Sequence, residues 1–329
     1  MYRIRLLTQQ DYDAVRSYLD KDPFYSIYLI HSLEAYGLDS EHARFWGAFR
    51  RGRLEGVLFT DVLLADYENS PRYGCLAGDN PEASARLGEF SLKTGIRFIK
   101  GKSACIQPAA EALSSRVADS RLTRWNFYRA DPEQNPHRYD YPVRVATRDD
   151  MPLLLELYKD FEFGSHDLHE VEYEVQKAVD SSTCFFVELE GRAVSGSMIV
   201  AETDRAGMLN YSRTLPEFRG RSVHLSVRTA CYEYLFRQGK VGLGVFSESN
   251  AAMHSIIGQY GSIIGKWSIV YFAAKPPLKR RILPLRLRRL GLNFKNKLSD
   301  WVHSERDSQE LPESKWSNIN EREEMTDDH

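Results

Sequence analysis

The sequence, 329 residues long, lacks the features that mark several large classes of protein. No apolar run approaches the ~20 residues that a membrane-spanning helix needs. A net charge of −2 gives no overall attraction to nucleic acid or to a membrane surface. Cysteine is scarce, and Cys75, Cys105, Cys184 and Cys231 form no C-x-x-C pair. We therefore expect no structural zinc, and isolated buried thiols are favoured over two disulfides.

The signature of secretion is also missing. The opening MYRIRLLTQQDYD turns polar and acidic after a short apolar stretch, so no signal peptide is expected. The chain does contain 42% apolar and 27% charged residues, the proportions of a globular protein with a sizeable core. These features predict a cytoplasmic protein, and its length predicts about two domains of ~150 residues.

One order of elements occurs twice along the chain. Hydrophobic periodicity predicts a strand, two helices, a hairpin, a strand, a helix, a strand, a helix and a strand in each copy. The hairpin signals are RGR at 51–53 and GR at 191–192. A polar segment, DPEQNPHRYDYP, lies between the copies. The repetition predicts an internal duplication, with a first domain at 1–130, a linker at 131–141 and a second domain at 142–274.

Two segments of different character follow. Residues 275–297 contain nine Lys or Arg, no Asp or Glu, and interleaved Leu and Ile. This extension, 275–300, is either an amphipathic helix for an anionic lipid, a nucleic acid or an acidic carrier, or a helix that is docked or solvated. We favour the docked or solvated helix. Residues 301–329 are acidic and poor in core residues, which predicts disorder.

The stretch 206–240 predicts a strand, a tight turn and a helix. Pro216 ends the strand because it has no N–H for a ladder. A helix start leaves backbone N–H groups without partners, and the helix dipole adds partial positive charge there, so the turn suits a phosphate. Arg219, Gly220 and Arg221 strengthen this reading, although a basic loop that merely caps a helix has the same pattern.

The run TLPEFRGRSV, with the following helix, strand and SESNAAMHSIIGQYGSIIGKW, resembles the coenzyme A-binding half of the GCN5-related N-acetyltransferase (GNAT) superfamily. There the turn reads Gln or Arg, two residues, Gly, one residue, Gly or Ala, and its amides hold the pyrophosphate of acetyl-CoA. Arg219 matches the first position, while Ser222 and His224 replace the two glycines. The resemblance implies an α/β (α+β) fold of two tandem GNAT-like domains with a degenerate first copy. Each domain would be a mixed, mostly antiparallel sheet flanked by helices.

The resemblance also implies where the donor binds. A strand amide between Ser212 and Leu215 would polarise the thioester carbonyl, and Asn250 would open the next helix and contact CoA. Many members carry a Tyr seven residues after that Asn to protonate the thiolate, but here the residue is Ile257, with Tyr260 nearby. The expected cofactor-binding residues are Ser212, Thr214, Leu215, Arg219, Gly220, Arg221, Ser222, Val223, His224 and Asn250.

Several side chains are candidates for moving protons. Glu248 at the end of the facing strand and Glu162 in the loop between the first two helices are candidate bases, and Tyr211 is a candidate acid. His166 and His169 lie near Glu162 and are further candidates. His224 would either add a charge-assisted contact to the pyrophosphate or block the cofactor; the sequence leaves both possibilities open.

The leading interpretation is an N-acyltransferase that moves an acyl group, most simply acetyl, from acetyl-CoA or another acyl-CoA to a small-molecule amine, without a metal. One alternative is a catalytically silent GNAT-like binding protein. Another is an acyltransferase whose donor is an acyl carrier protein or an aminoacyl-tRNA. The first copy has AGDNPEASARLGEF at the position of the phosphate turn, so we interpret it as structural or as an acceptor-side wall. The protein is expected to be a monomer or a homodimer.

Overall fold

A computed structural model describes residues 1–61, 73–134, 139–159 and 168–274, apart from the side chains of 168–170, 252 and 274. The described residues form one 12-stranded sheet with helices on both faces. The strands are β1 Arg3–Leu6, β2 Ala43–Arg50, β3 Arg53–Asp61, β4 Tyr73–Gly78, β5 Phe98–Lys102, β6 Val117–Ala130, β7 Arg144–Val145, β8 Cys184–Leu189, β9 Arg192–Glu202, β10 Ala206–Thr214, β11 Val241–Ser247 and β12 Gly261–Ala274. The helices are α1 Tyr12–Leu19, α2 Ile27–Tyr36, α3 Pro81–Ser91, α4 Ser103–Ser114, α5 Met151–Tyr158, α6 Leu168–Asp180, α7 Val223–Phe236 and α8 Ala251–Tyr260.

The strand order is β1-β2-β3-β4-β5-β12-β6-β11-β10-β9-β8-β7. Only β4 with β5 and β10 with β11 run parallel; the other described neighbours are antiparallel. Each parallel pair is joined through a helix, α3 or α7, as a parallel connection requires. The predicted mixed, mostly antiparallel sheet is confirmed.

The two halves of the chain, β1 to β6 and β7 to β12, exchange their last strands. β12 lies between β5 and β6 of the first half, and β6 lies between β11 and β12 of the second. β6 pairs with β12 along nearly its whole length, from Val117 to Ala130. Each half is therefore completed by a strand of the other. The boundaries 1–130, 131–141 and 142–274 stay a prediction, because a continuous sheet offers no break at which to place them.

Successive residues of a strand point to opposite faces of the sheet, and this alternation separates the cores. In β6, Phe127 packs in the core beneath α1 and α2, whereas Tyr128 packs beneath α7. In β10, Met208 and Leu209 divide in the same way. Helices α1, α2, α5 and α6 thus cover one face, and α3, α4, α7 and α8 cover the other.

The hairpins bear out their sequence signals. Arg51 and Gly52 both have positive φ, 51° and 78°, and Glu190 and Gly191 have 53° and 73°. Two consecutive residues of positive φ form the turn whose twist matches that of a two-stranded ribbon. The same turn chemistry at the same place in each half supports the predicted duplication.

The four cysteines are buried free thiols, as expected. Helix α2 begins at Ile27 and ends at its C-cap, Gly37, which has a φ of 69°. Residues 22–26 form turns before it, since Ser26 N donates to Asp22 O and Tyr25 packs its ring against Phe127.

Some predictions fall outside the described residues. They are Glu162, His166, the side chain of His169, the basic segment 275–297 and the acidic tail 301–329. Among the helices that the structure does describe, none has the length and apolar character needed to cross a bilayer.

Candidate active site

β10 and β11 separate soon after they begin. They pair in parallel over three positions, ending at Met208 with Leu243. Beyond that point β10 continues to Thr214 against β9, and β11 continues to Ser247 against β6. Because each strand stays bonded to its outer neighbour, a V-shaped cleft lies between the eighth and ninth strands of the sheet.

A β-bulge deforms β10 beside this cleft. Tyr211 has a φ of 51°, and the register with β9 shifts between Asn210 and Arg213. Such an insertion bends a strand and leaves residues outside the ladder. Tyr158, from α5, donates its hydroxyl to Tyr211 O at 2.7 Å. The bulge is thus supported by a buried side chain and frees backbone near Ser212 from regular pairing.

The side chains that follow the bulge are bound to β9. Ser212 Oγ lies 2.9 Å from Ser197 Oγ, and Thr214 Oγ1 lies 2.9 Å from Ser195 Oγ. Leu215 N donates to Val194 O at 2.9 Å. This bond occupies the Leu215 amide, so that residue must be removed from the amides expected to face a cofactor.

The turn after β10 is exposed and basic. Pro216–Phe218 forms one 3-10 turn, and Arg219 folds back so that its Nε donates to Thr214 O at 3.3 Å. Gly220 and Ser222 have positive φ, 72° and 61°. Alternation of this kind turns backbone N–H groups toward one side and creates a concavity for anions. The turn therefore has the backbone shape of a phosphate site.

Ser222 adopts a conformation that glycine adopts more easily. It is the N-cap of α7, yet its side chain makes no capping hydrogen bond. A non-glycine residue in the left-handed region costs about 1–2 kcal/mol. The turn therefore keeps a left-handed residue at position 222 at that cost.

The His224 ring is held by a residue one turn along its own helix. Its Nε2 lies 3.2 Å from Arg228 Nη2, and its Nδ1 is buried without a partner. Burial, reinforced by the Arg228 charge, lowers the pKa of His224 to about 3. The imidazole is therefore neutral near pH 7 and supplies no positive charge to a phosphate.

Arg228 is a buried cation whose partners are all neutral. It is 3% exposed and donates to the hydroxyls of Tyr128 at 2.8 Å and Tyr232 at 3.2 Å, while its Nε has no partner. Met253 Sδ of α8 lies 3.7 Å from Nη2. Buried charges normally carry an opposite charge beside them. Among the described residues Arg228 forms no ion pair, so it places positive charge in the second turn of α7.

The start of α8 matches expectation, and its later part offers no replacement for the tyrosine that Ile257 displaces. Asn250 caps the helix by accepting from Met253 N at 2.9 Å. Ile257 is buried, and Tyr260 is buried with its hydroxyl 3.0 Å from Thr229 Oγ1 of α7. The Tyr260 hydroxyl therefore ties α8 to α7, and it does not stand in for the acid at position 257.

Of the candidate proton-transfer residues, Glu248 and Tyr211 are described. Glu248 follows β11, is about half exposed, and pairs with Lys266 of β12, which also donates to Asn126 Oδ1 at 2.8 Å. Tyr211 is 6% exposed and packs in the core beneath α5 and α6. The two lie on the strands that border the cleft, one on each side.

A cavity of about 60 Å³ opens on the α2 and α6 face of the same cleft. Asn210 and Tyr211 of β10 and Val245 of β11 line it, so it borders the separated strands. The remaining lining comes from both halves of the chain, and sequence reasoning missed nearly all of it. These residues are Tyr28, His31, Ser32, Tyr36, Asp61, Tyr73, Phe98, Lys100, Trp125, Glu174, Lys177, Val200, Met208, Trp267, Ile269 and Tyr271.

The corresponding place in the first half is closed. β4 and β5 pair from Tyr73 with Phe98 to Leu76 with Gly101, close to the ends of both strands. A side chain at Gly101 would meet Leu76 O at 2.6 Å, which shows how tightly the strands approach. The first half therefore offers no second cleft.

Comparison with known proteins shows which solved structures share this architecture. No protein-family model and no curated protein sequence matches the chain. Among solved structures, it is similar to a GCN5-related N-acetyltransferase from Sphaerobacter thermophilus, with a TM-score of 0.56 and 11% identity over 84% of this chain and 96% of that one. The chain has the GNAT fold.

Two further structures agree. A tandem GNAT protein from the clavulanic acid biosynthesis pathway has a TM-score of 0.50 and 11% identity over 84% of this chain and 99% of that one. A GCN5-related N-acetyltransferase-like protein from Streptococcus suis has a TM-score of 0.52 and 12% identity over 81% of this chain and all of that one. At such identities the likeness concerns the GNAT fold, including its tandem form, and leaves the substrate open.

Proposed function

We propose that this GNAT-fold protein transfers an acyl group from a CoA thioester to the nitrogen of a small amine, using the cleft between β10 and β11. The observation that carries the proposal is the parting of these strands beside an exposed basic turn that opens α7. The turn would hold the diphosphate, and the cleft would admit the pantetheine arm. No metal is assigned a role.

The reaction needs one bond made and one broken. The neutral amine nitrogen attacks the thioester carbon, a C–N bond forms, the C–S bond breaks, and the sulfur leaves as a thiolate that takes up one proton to become the thiol. The nitrogen loses one proton as the amide forms, which balances the proton gained by the sulfur. A backbone N–H in the bulge near Ser212 would stabilise the oxyanion, as fixed donors do in other acyl transfers.

Two side chains are proposed for proton transfer. Glu248 would accept a proton from the amine, directly or through water, from the β11 side. Tyr211, on the opposite strand, would donate to the thiolate. Lys266 pairs with the Glu248 carboxylate and would orient it. Glu248→Gln should lower kcat by at least ~10²-fold, since general base catalysis contributes about that much. The affinity for CoA should stay unchanged.

Isothermal titration with acetyl-CoA, followed by measurement of thiol release over a panel of amines, tests the proposal. Replacing Arg219 and Arg221 together by Glu should weaken acetyl-CoA binding at least ~10-fold, because like charge then faces the diphosphate. Arg86→Glu, an exposed substitution on α3, is the matched control. Absence of acetyl-CoA binding at high micromolar concentration would contradict the proposal.

A silent binding protein is the second candidate, and one observation favours it. The position where many family members carry a thiolate acid holds buried Ile257, and Tyr260 is bound to Thr229. Acetyl-CoA binding without thiol release for any amine would support this candidate. Robust turnover with one amine would exclude it.

A further inference from the structure

The cavity beside the cleft has an unusual balance of charge. Two carboxylates line it, Asp61 from β3 and Glu174 from α6, and so do two lysines, Lys100 from β5 and Lys177 from α6. Asp61 is 5% exposed, so this charge lies in the interior and not on an open surface. The four charged side chains of the wall therefore sum to zero, with two of each sign.

Aromatic rings hold these charges in a medium of low polarity. Lys100 Nζ lies 3.8 Å from the centre of the Tyr28 ring and 4.4 Å from that of Tyr73. Burial, followed by the nearby Asp61 and Glu174 carboxylates, raises the pKa of Tyr73 well above its ordinary value. Charges act more strongly on a ligand beside buried aromatic rings than they would in bulk water.

His31 adds a neutral imidazole to the wall. Its Nδ1 lies 3.0 Å from Glu202 O and 3.3 Å from Glu202 N, so the backbone of β9 holds the ring. Burial lowers the pKa of His31, which keeps the ring uncharged. A residue from the first half is thus oriented by the backbone of the second.

A wall of this composition discriminates by charge pattern. A simple cation entering the cavity is attracted by the carboxylates and repelled by the lysines, and a simple anion experiences the reverse, so the two effects oppose each other for either ion. A ligand with both signs on adjacent atoms can turn its positive end toward a carboxylate and its negative end toward a lysine. The volume of about 60 Å³ corresponds to a few water-sized sites, so the enclosed part of a ligand is a compact head group.

We propose that the cavity binds the ammonium–carboxylate head group of an amino acid, which would be the acyl acceptor, and that the first half of the chain forms its wall. This inference rests on the proposed acyl transfer, since it identifies the acceptor of that reaction. The amine would lie at the edge of the cleft lined by Asn210 and Val245, where a thioester carbonyl would arrive.

The experiment compares ligands that share one carbon skeleton. The twenty standard amino acids are screened by thermal shift on the full chain with CoA present. The best one is then compared by calorimetry with the amine that lacks its carboxylate and the hydroxy acid that lacks its ammonium. The amino acid should bind at least ~10-fold more tightly than either.

Two substitutions identify the wall. Lys177→Met should reduce the preference for the amino acid over the amine to less than ~3-fold, and Glu174→Gln should do the same for the preference over the hydroxy acid. Lys93→Met, an exposed lysine after α3, should change neither ratio. Equal binding of amine and amino acid, preferences unaltered by both substitutions, or no saturable binding of any amino acid would each overturn the inference.

The two proposals fail in different ways. If acetyl-CoA binds and thiol is released with simple amines but amino acids do not bind, the acceptor inference fails and the acyl transfer stands. If amino acids bind but acetyl-CoA does not, the cavity is a binding site and the transferase proposal fails.

Discussion

Arg5 and Arg144 occupy equivalent positions in the two halves of the chain. The Arg5 guanidinium contacts both carboxylate oxygens of Asp11 at 2.7 Å, and that of Arg144 contacts both of Asp150 at 2.8 Å. Each aspartate also closes a capping box with a threonine, Thr8 or Thr147, at the start of the first helical segment of its half. The motif ties the first strand of each half to the helix that follows it.

The first prediction concerns this motif. Asp150→Asn should destabilise the protein by about 1–3 kcal/mol, because it removes a two-pronged ionic contact and weakens the cap. Asp180→Asn, at the exposed pair with Arg148, should cost clearly less, because solvent screens that pair. Urea unfolding of the three proteins at pH 7 measures both effects, and equal losses would contradict the assignment.

Asp11 gives this motif a pH signature. The hydrogen-bonded Arg5 guanidinium lowers the pKa of Asp11 to about 2, so the unfolded chain takes up the proton first on acidification. The stability from this pair is complete above pH ~4 and is lost as the pH falls toward 2. The destabilisation caused by Asp11→Asn should therefore shrink over that window. A constant difference between the variants would refute it.

His224 gives a second signature, at higher pH. Its pKa is about 3 in the folded protein against an ordinary 6.5, so the unfolded state binds the proton first. Stability from the neutral ring is complete above pH 6.5 and falls as the pH drops toward 3, by up to ~1.4 kcal/mol per pH unit. Unfolding of wild type and His224→Gln at pH 7 and 4.5 tests this. The variant should lose less stability on acidification.

Ser222 and Ser182 make a matched pair for the strained turn. Both have left-handed backbones, with φ of 61° and 56°, but only Ser222 lies at the proposed phosphate site. Each Ser→Gly change should stabilise the protein by up to ~1 kcal/mol, since strain is relieved and part of the gain is offset by unfolded-state entropy. Acetyl-CoA titration should show tighter binding for Ser222→Gly alone. A similar change in both would remove Ser222 from the site.

Arg228 is expected to lower the stability of the fold and to raise the affinity for acetyl-CoA. Arg228→Met should be neutral or stabilising by ~1–2 kcal/mol, since it removes an uncompensated buried charge while the Tyr128 and Tyr232 hydroxyls remain 3.2 Å apart. The same change should weaken acetyl-CoA binding several-fold. Arg237→Met, exposed near the end of α7, serves as the control. Unchanged affinity would show that Arg228 does not act on the donor.

Local periodicity was enough to predict most elements. The alternation of apolar residues and the turn residues at 51–52 and 190–191 placed the hairpins, and the apolar spacing from Val223 to Leu235 placed α7. Which strands become neighbours was not predictable, because the side-chain period is the same whichever strand lies alongside. The exchange of β6 and β12 is therefore a property of the sheet that no single segment specifies.

The candidate site also has a part that the sequence predicts and a part that it does not. The turn with Arg219, Gly220 and Ser222 follows from a local pattern, whereas the cavity is assembled from distant segments. One signal was available, since Lys100 is a charged residue on the otherwise mostly buried strand β5. The prediction that the Leu215 amide faces a cofactor was wrong for a local reason, because Leu215 N donates to Val194 O of β9.

The exchanged strands bear on how such a chain can change over time. The first half contributes β6, which pairs with β11 along one side of the cleft between β10 and β11. A change in the first half that shifts β6 would therefore shift β11 as well, and neither half can be removed without opening the sheet at its centre.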